Sequence, residues 1–178
     1  MTLRKTQSHG KIGEAAVSAK CWMHGIPAYN TAGLRANFAG SDLIVDTDDA
    51  TKKLLVQVKT GYSPSGDWVY MTQCAGEQDL THDKFVSDFV VFVNLDRKAG
   101  NGHEHNGELD FQHLTFYVVP RAVANNLYRQ AVQRDYERPL KIGGQRKLGN
   151  MAVNVAATDM ASYKNAWTLL RSAAKNAA

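Results

Sequence analysis

Apolar positions along the chain alternate between a helical rhythm and a strand rhythm, and the changes between them mark out the elements. Ser8 precedes Ile12, Ala15, Ala16, Ala19 and Met23 at helical spacing, and Gly25-Ile26-Pro27 closes the run, which predicts a first helix over about 9–24. A short extended piece from Pro27 to Asn30 follows. A loop through Leu34, Arg35, Ala36 and Asn37 then leads into a strand over 41–47, and the turn Thr47-Asp48-Asp49-Ala50-Thr51 joins this strand to a second one over 53–60 as a hairpin. Breakers from Gly61 to Gly66 separate the hairpin from an extended Trp68-Val69-Tyr70-Met71, and 77–87 is predicted as a short helix.

The stretch Asp88 to Leu95 is almost continuously apolar and β-branched, which predicts a strand buried on both faces in the middle of a sheet. A Gly- and Asn-rich loop around His103 and His105 precedes another strand, Leu114 to Pro120. Pro120 stops that strand, and Arg121 to Glu137 reads as an amphipathic helix with Val123, Leu127 and Ala131 turned inward. The pattern weakens after Gly143-Gly144. A last helix is predicted from about Asp159 to Ala174, with Tyr163, Trp167 and Leu170 on its apolar face. The order helix, strands, helix, strand, strand, helix predicts a three-layer α/β fold with a mixed central sheet flanked by helices.

Composition narrows the class. At 178 residues with 44% apolar side chains, the chain is expected to form one domain over 1–178, with its core in about 8–120 and a C-terminal helical extension over about 121–178. It has neither a run of 18 apolar residues nor the apolar core of a secretory leader, so a cytoplasmic protein without membrane contact is expected. Cys21 and Cys74 lack metal-ligand spacing and are expected as reduced thiols. Charge is uneven: residues 1–96 hold 9 Lys and Arg against 11 Asp and Glu, whereas residues 97–178 hold 12 against 6. The basic half is the better surface for a polyanion, and its densest part runs from Arg121 to Lys147. Lys11, Arg35, Arg121 and Arg129 are the candidate nucleic-acid contacts.

The hairpin carries the chemistry. Side chains alternate across a strand, so Gln57 and Lys59 project from one face while Val56 and Val58 point to the other. An amide and an ammonium two positions apart in an apolar strand need partners or a function. Asp42 lies near the start of one hairpin strand and Lys59 near the end of its partner, which places them at the same end of the sheet. Hydrolysis of a phosphodiester needs a metal to polarise the phosphoryl oxygen, and carboxylates that hold the metal without filling its shell. Asp42 suits the first ligand, Gln57 an amide oxygen and Val58 a backbone oxygen, while Lys59 suits a group that orients water or neutralises developing charge.

Gly40-Ser41-Asp42, followed after fourteen residues by Gln57-Val58-Lys59-Thr60, resembles the PD-(D/E)XK nuclease superfamily over residues 8–95. The resemblance implies a restriction-endonuclease-like fold: a helix, a three-stranded meander, a helix and a further strand. Gly10-Lys11-Ile12-Gly13-Glu14 is similar to the first helix of branches akin to archaeal Holliday-junction resolvases, which implies that Glu14 joins the metal site. Ser41 replaces the family's usual proline, and Gln57 replaces its second acid. The implied activity is a Mg²⁺-dependent endonuclease, with Mn²⁺ able to substitute, acting on double-stranded or branched DNA as a homodimer. The catalytic residues would be Glu14, Asp42, Gln57 and Lys59, and the metal ligands Glu14, Asp42, Gln57 and Val58. Two other readings stay open: a nucleic-acid-binding module of the same fold without catalysis, and an RNA-cleaving toxin or defence nuclease.

Other groupings read as structure. An EF-hand loop starting at Asp46 would need glycine and glutamate where the chain has Thr51 and Gln57, so Asp46, Asp48 and Asp49 are expected to form a turn. His103-Glu104-His105 has no second ligand pair and reads as a surface loop. Trp68, Tyr70 and Trp167 read as core or interface anchors rather than base-stacking groups.

Overall fold

The structure, a computed structural model, describes residues 5–31, 40–62, 68–95, 114–138 and 151–176. Arg35, His103, His105 and the basic residues between 139 and 150 lie outside the described residues.

The first helix, α1 (Lys5–Met23), ends where the sequence predicts, and the reason is local. Gly25 adopts a positive φ of 68°. Its N–H donates to the carbonyl of Trp22 at 3.0 Å, and the N–H of Ile26 reaches the carbonyl of Cys21 at 2.9 Å, so a Schellman motif closes the helix. Ile26 and Cys21 are both fully buried in one core cluster, which supplies the apolar contact of that motif. The buried face differs from the predicted one. It consists of Gly13, Ala16, Val17 and Cys21, whereas Ala15, Ala19 and Met23 are exposed. Small residues win because they let the helix backbone approach the sheet: a Cβ on Gly13 would lie 1.8 Å from Oγ1 of Thr60.

Five strands form the central sheet in the order β1-β2-β3-β5-β6, with β1 (Ala28–Asn30), β2 (Leu43–Asp46), β3 (Lys53–Tyr62), β5 (Phe89–Leu95) and β6 (Leu114–Pro120). Strands β1, β2 and β3 are an antiparallel meander, β5 runs parallel to β3, and β6 is antiparallel to β5. The sheet is therefore mixed, as expected. Strand β5 has neighbours on both sides, and Phe89 to Asn94 are all buried, as its unbroken apolar run requires.

Two cores lie on opposite faces of the sheet. One joins Ala16, Val17 and Cys21 of α1 to Val56, Val58, Val91 and Val93, and takes Trp167, Leu170 and Ala174 from the last helix, α4 (Trp167–Asn176). The other gathers Val90, Phe92 and Val119 with Phe85 and with Ala124, Tyr128, Ala131 and Val132 of α3 (Arg121–Glu137). The chain thus has a three-layer α/β architecture, a mixed sheet flanked by helices, as expected. Val123 and Leu127, expected inside, are only partly buried, because the face of α3 is centred on Tyr128 and Ala131. No helix among the described residues is long and apolar enough to cross a membrane.

Three expectations are corrected. The helix predicted over 77–87 is a single turn, α2 (Gln78–Thr81), because the backbone after it is claimed by side chains: Asn125 accepts from the N–H of Phe85 at 2.8 Å and donates to its carbonyl at 2.9 Å. Strand β7 (Ala152–Ala156) was not anticipated. It pairs antiparallel with β4 (Trp68–Gln73) in a separate two-stranded sheet, and both contribute to the second core. The helix predicted over 159–174 is split into a 3₁₀ turn, Thr158–Tyr163, and α4. Asn165, at φ 53°, makes the break, and its N–H donates to the carbonyl of Phe116 at 2.8 Å on the edge strand β6.

The contact between Gly13 and Thr60 sets a competition of magnitudes. Alanine in a helix is favoured over glycine by about 1 kcal/mol, whereas overpacking costs about 1–3 kcal/mol. Gly13→Ala should therefore lower the urea midpoint. The Oγ1 of Thr60 is buried without a hydrogen-bond partner, so Thr60→Ala should cost little alone and should restore much of the loss in the double variant. Additive losses in the two variants would show that the helix does not press on Thr60.

Candidate active site

Strand β2 begins one residue after Asp42. The backbone N–H of Asp42 still donates to the carbonyl of Val56 at 2.9 Å, but the ladder ends there, and the N–H of Val58 would face an empty position. The carboxylate of Asp42 fills it: Oδ2 accepts the Val58 N–H at 2.7 Å. Asp42 is held from the other side as well. The N–H of Thr31 donates to its carbonyl at 2.9 Å, and Oγ1 of Thr31 reaches the carbonyls of Ser41 at 2.8 Å and Asp42 at 3.1 Å. The carbonyl of Val58 points to the same side as its N–H, toward the space beyond the end of β2.

Glu14 follows Gly13 on α1, so the close approach of helix to sheet delivers it to this end of β3. Its Oε2 accepts from the ammonium of Lys11 at 2.7 Å and from the amide of Asn30 at 3.3 Å. The charges of Glu14, Lys11 and Lys59 all act on the Asp42 carboxyl. Burial pushes the Asp42 carboxyl above its ordinary range, the Val58 hydrogen bond opposes that shift, the Glu14 charge adds to it, and Lys59 and Lys11 pull it back. Burial pushes the Lys59 ammonium below its ordinary value, with the Asp42 charge opposing and Lys84 adding. Its hydrogen bond to Glu14 chiefly holds the Lys11 ammonium up.

Gln57 shares the face of Lys59, as alternation requires, and its Oε1 is buried without a hydrogen-bond partner. An unsatisfied buried amide oxygen is of the donor type that a hard cation takes. The carboxylates number only two: among the described residues no three His, Cys, Asp or Glu side chains come together in a group that could hold a metal.

Other expected residues fall elsewhere. The guanidinium of Arg121 donates to the carbonyl of Val86 at 3.1 Å, and Arg129 pairs with Asp83 at 2.9 Å, so both tie the molecule together. Lys11 is committed to Glu14. Asp46 pairs with Lys53 at 2.7 Å, and Asp49 accepts from the N–H and hydroxyl of Thr51, which makes the acidic cluster a turn. Trp167 is buried between His24 and Phe116, and Tyr70 packs on Phe85 and Phe92, so both are core anchors.

Sequence reading missed Thr31, Asn30, Lys84 and Asn94. Nothing in their spacing marks the first three. Asn94 carried the same signal as Gln57, a polar residue in an apolar strand. It is 5% exposed, pairs in register with Gly61 on the face of Lys59, and its Oδ1 lacks a partner.

No protein-family model matches the chain, and no curated protein is significantly similar to it. Among solved structures it is similar to a bacterial homing endonuclease, I-Ssp6803I, with 17% identity over 94% of this chain and 93% of that one and a TM-score of 0.47. What the site can do follows from its own residues.

Asp42 and Lys59 carry charges that burial opposes, so both should weigh against stability at neutral pH. A raised carboxyl pKa contributes stability that is fully present below the ordinary carboxyl value and is lost as pH rises through the folded one. Asp42→Asn, which can still accept the Val58 N–H, should melt no lower than the natural chain at pH 7 without metal, and its advantage should vanish below about pH 4. Lys59→Met should behave likewise at neutral pH. Clear destabilisation of both variants would mean that the charges are structural.

Proposed function

We propose that the chain is a Mg²⁺-dependent endonuclease acting on double-stranded or branched DNA. The observation that supports this reading is that the charges of Glu14 and Lys59 both act on the buried Asp42 carboxyl, while Gln57, on the strand face of Lys59, keeps a buried Oε1 without a hydrogen-bond partner. Glu14, Asp42, Gln57 and the carbonyl of Val58 would hold the metal, and Mn²⁺ suits the same oxygen donors. The bound ion would polarise a phosphoryl oxygen and acidify a water. Lys59, whose hold on its proton is loosened by burial, orients water and neutralises charge developing on the phosphate. A Glu14 carboxylate engaged on the ion would give up Lys11, whose ammonium would then be free for the backbone of the substrate. Cutting both strands of a duplex calls for two such sites, so a homodimer is the expected assembly.

A second reading has its own support. With two carboxylates instead of three, and one of them paired to Lys11, the site is a weak cation binder, which favours a nucleic-acid-binding module without catalysis.

Digestion of plasmid DNA, a branched DNA junction and RNA in parallel, with Mg²⁺, with Mn²⁺ and with chelator, separates the readings. Metal-dependent DNA cleavage that falls by about 100-fold or more in Asp42→Ala and in Lys59→Ala, with circular dichroism unchanged, is the expected result. Undiminished cutting in either variant removes that residue from the mechanism. Salt-sensitive DNA binding without cutting supports the module, and preferential digestion of RNA redirects the assignment of substrate.

A further inference from the structure

Ser41 and Ser87 are 46 positions apart in sequence and both buried, at 8% and 0% exposure, with their hydroxyl oxygens 2.8 Å apart. Either could be the donor from that distance alone. The neighbouring contact decides it: the hydroxyl of Ser87 donates to the carbonyl of Gly40 at 3.0 Å. A hydroxyl has one hydrogen, so Ser41 must donate to Ser87, and the two bonds run in one direction from Ser41 through Ser87 to Gly40. Both ends of this loop close on the two residues immediately before Asp42.

Ser87 stands on a rigid base. Asn125 of α3 brackets Phe85 through both of its backbone groups, Arg121 binds the carbonyl of Val86, and the N–H of Arg121 donates to the carbonyl of Asp88 at 2.9 Å. The Asp88 carboxylate in turn accepts the N–H of Leu55 of β3 at 2.8 Å. Gly40 is pressed against the same base. Its φ is +88°, and a Cβ there would lie 2.8 Å from a methyl of Val86.

We infer that Ser87, acting through Ser41, is a positioning residue for Asp42: it fixes the peptide before Asp42 so that the carboxylate meets the Val58 N–H and faces Glu14 and Lys59. The importance of that position rests on the proposed function, but the positioning itself does not. A purely structural hydroxyl pair would add to stability and leave the carboxylate where it is.

The test uses Ser41→Ala, Ser87→Ala and the double variant, with two readouts. In the metal-free protein, hydrogen exchange at the Val58 amide reports the bond to Asp42 directly. A hydrogen bond to a charged group is worth about 1.5–3 kcal/mol, so Val58 should exchange about tenfold faster or more, while Val91 and Val93 in β5 keep their protection. Mn²⁺ affinity, measured by calorimetry, should fall about fivefold or more in each single variant, and the double variant should be no worse than either, because the two bonds act as one chain. Exchange at Val58 that rises only in step with the rest of the sheet overturns the inference. Natural protein that binds no Mn²⁺ refutes the metal site alone, and the Val58 exchange still decides the positioning.

Discussion

A single backbone N–H sets the form of the site. Strand β3 runs past the end of β2, and the N–H of Val58 emerges where no strand remains to accept it. Leaving such a group unpaired in a partly buried position costs about 1–3 kcal/mol, so the chain needs an acceptor there. The carboxylate of Asp42 serves, at 2.7 Å, and takes up the ladder where the backbone of β2 leaves off. One bond therefore ends a strand and anchors an acid at the same point. Among the described residues only one oxygen of that carboxylate accepts a hydrogen bond, and the carbonyl of Val58 opens onto the same space, so oxygen donors gather where the ladder stops.

The approach of α1 makes this corner a site. Two glycines in a helix would ordinarily be a liability, yet Gly13 is buried against Thr60 and lets the helix backbone lie directly on β3. Glu14 rides on that contact. Its carboxylate is steered by Lys11 from one side and Asn30 from the other, and its charge is felt at Asp42. Helix packing and site electrostatics are thus one arrangement: a helix held farther out would leave Glu14 too remote to matter. On the opposite face, the arginines of α3 serve cohesion. Arg134 contacts Asp135, Asp159 and the carbonyl of Asn154, drawing β7 and the 3₁₀ turn onto the helix.

What was legible in the sequence follows the reach of its local patterns. Strands 89–95 and 114–120 and the helix 121–137 announce themselves because each is one uninterrupted rhythm with a clear stop, the shared face of Gln57 and Lys59 follows from strand alternation, and the nearness of Asp42 to Lys59 follows from the hairpin. Glu14 could be located only through the family resemblance. Strand β7 was hidden because Val153 and Val155 are too few to mark a strand, and its partner β4 lies far away in the chain. The face of α1 was misread because two apolar stripes compete on it, and the choice between them is made by how closely Thr60 lets the helix approach. The false helix over 77–87 has a similar origin: helical composition loses to Asn125 and Arg121, which claim backbone groups of that segment from outside.

The packing of α4 has a consequence for the timing of assembly. Trp167, Leu170 and Ala174 fill the same cluster as Ala16, Val17 and Cys21, and the N–H of Asp48, in the turn after β2, donates to the carbonyl of Ala174 at 3.1 Å. The layer that carries Glu14 is therefore incomplete until residues more than 140 positions downstream have been joined to it. During synthesis the segments bearing Glu14, Asp42 and Lys59 leave the ribosome long before Trp167, Leu170 and Ala174, so a nascent chain holds α1 against an unfinished core until α4 has been made.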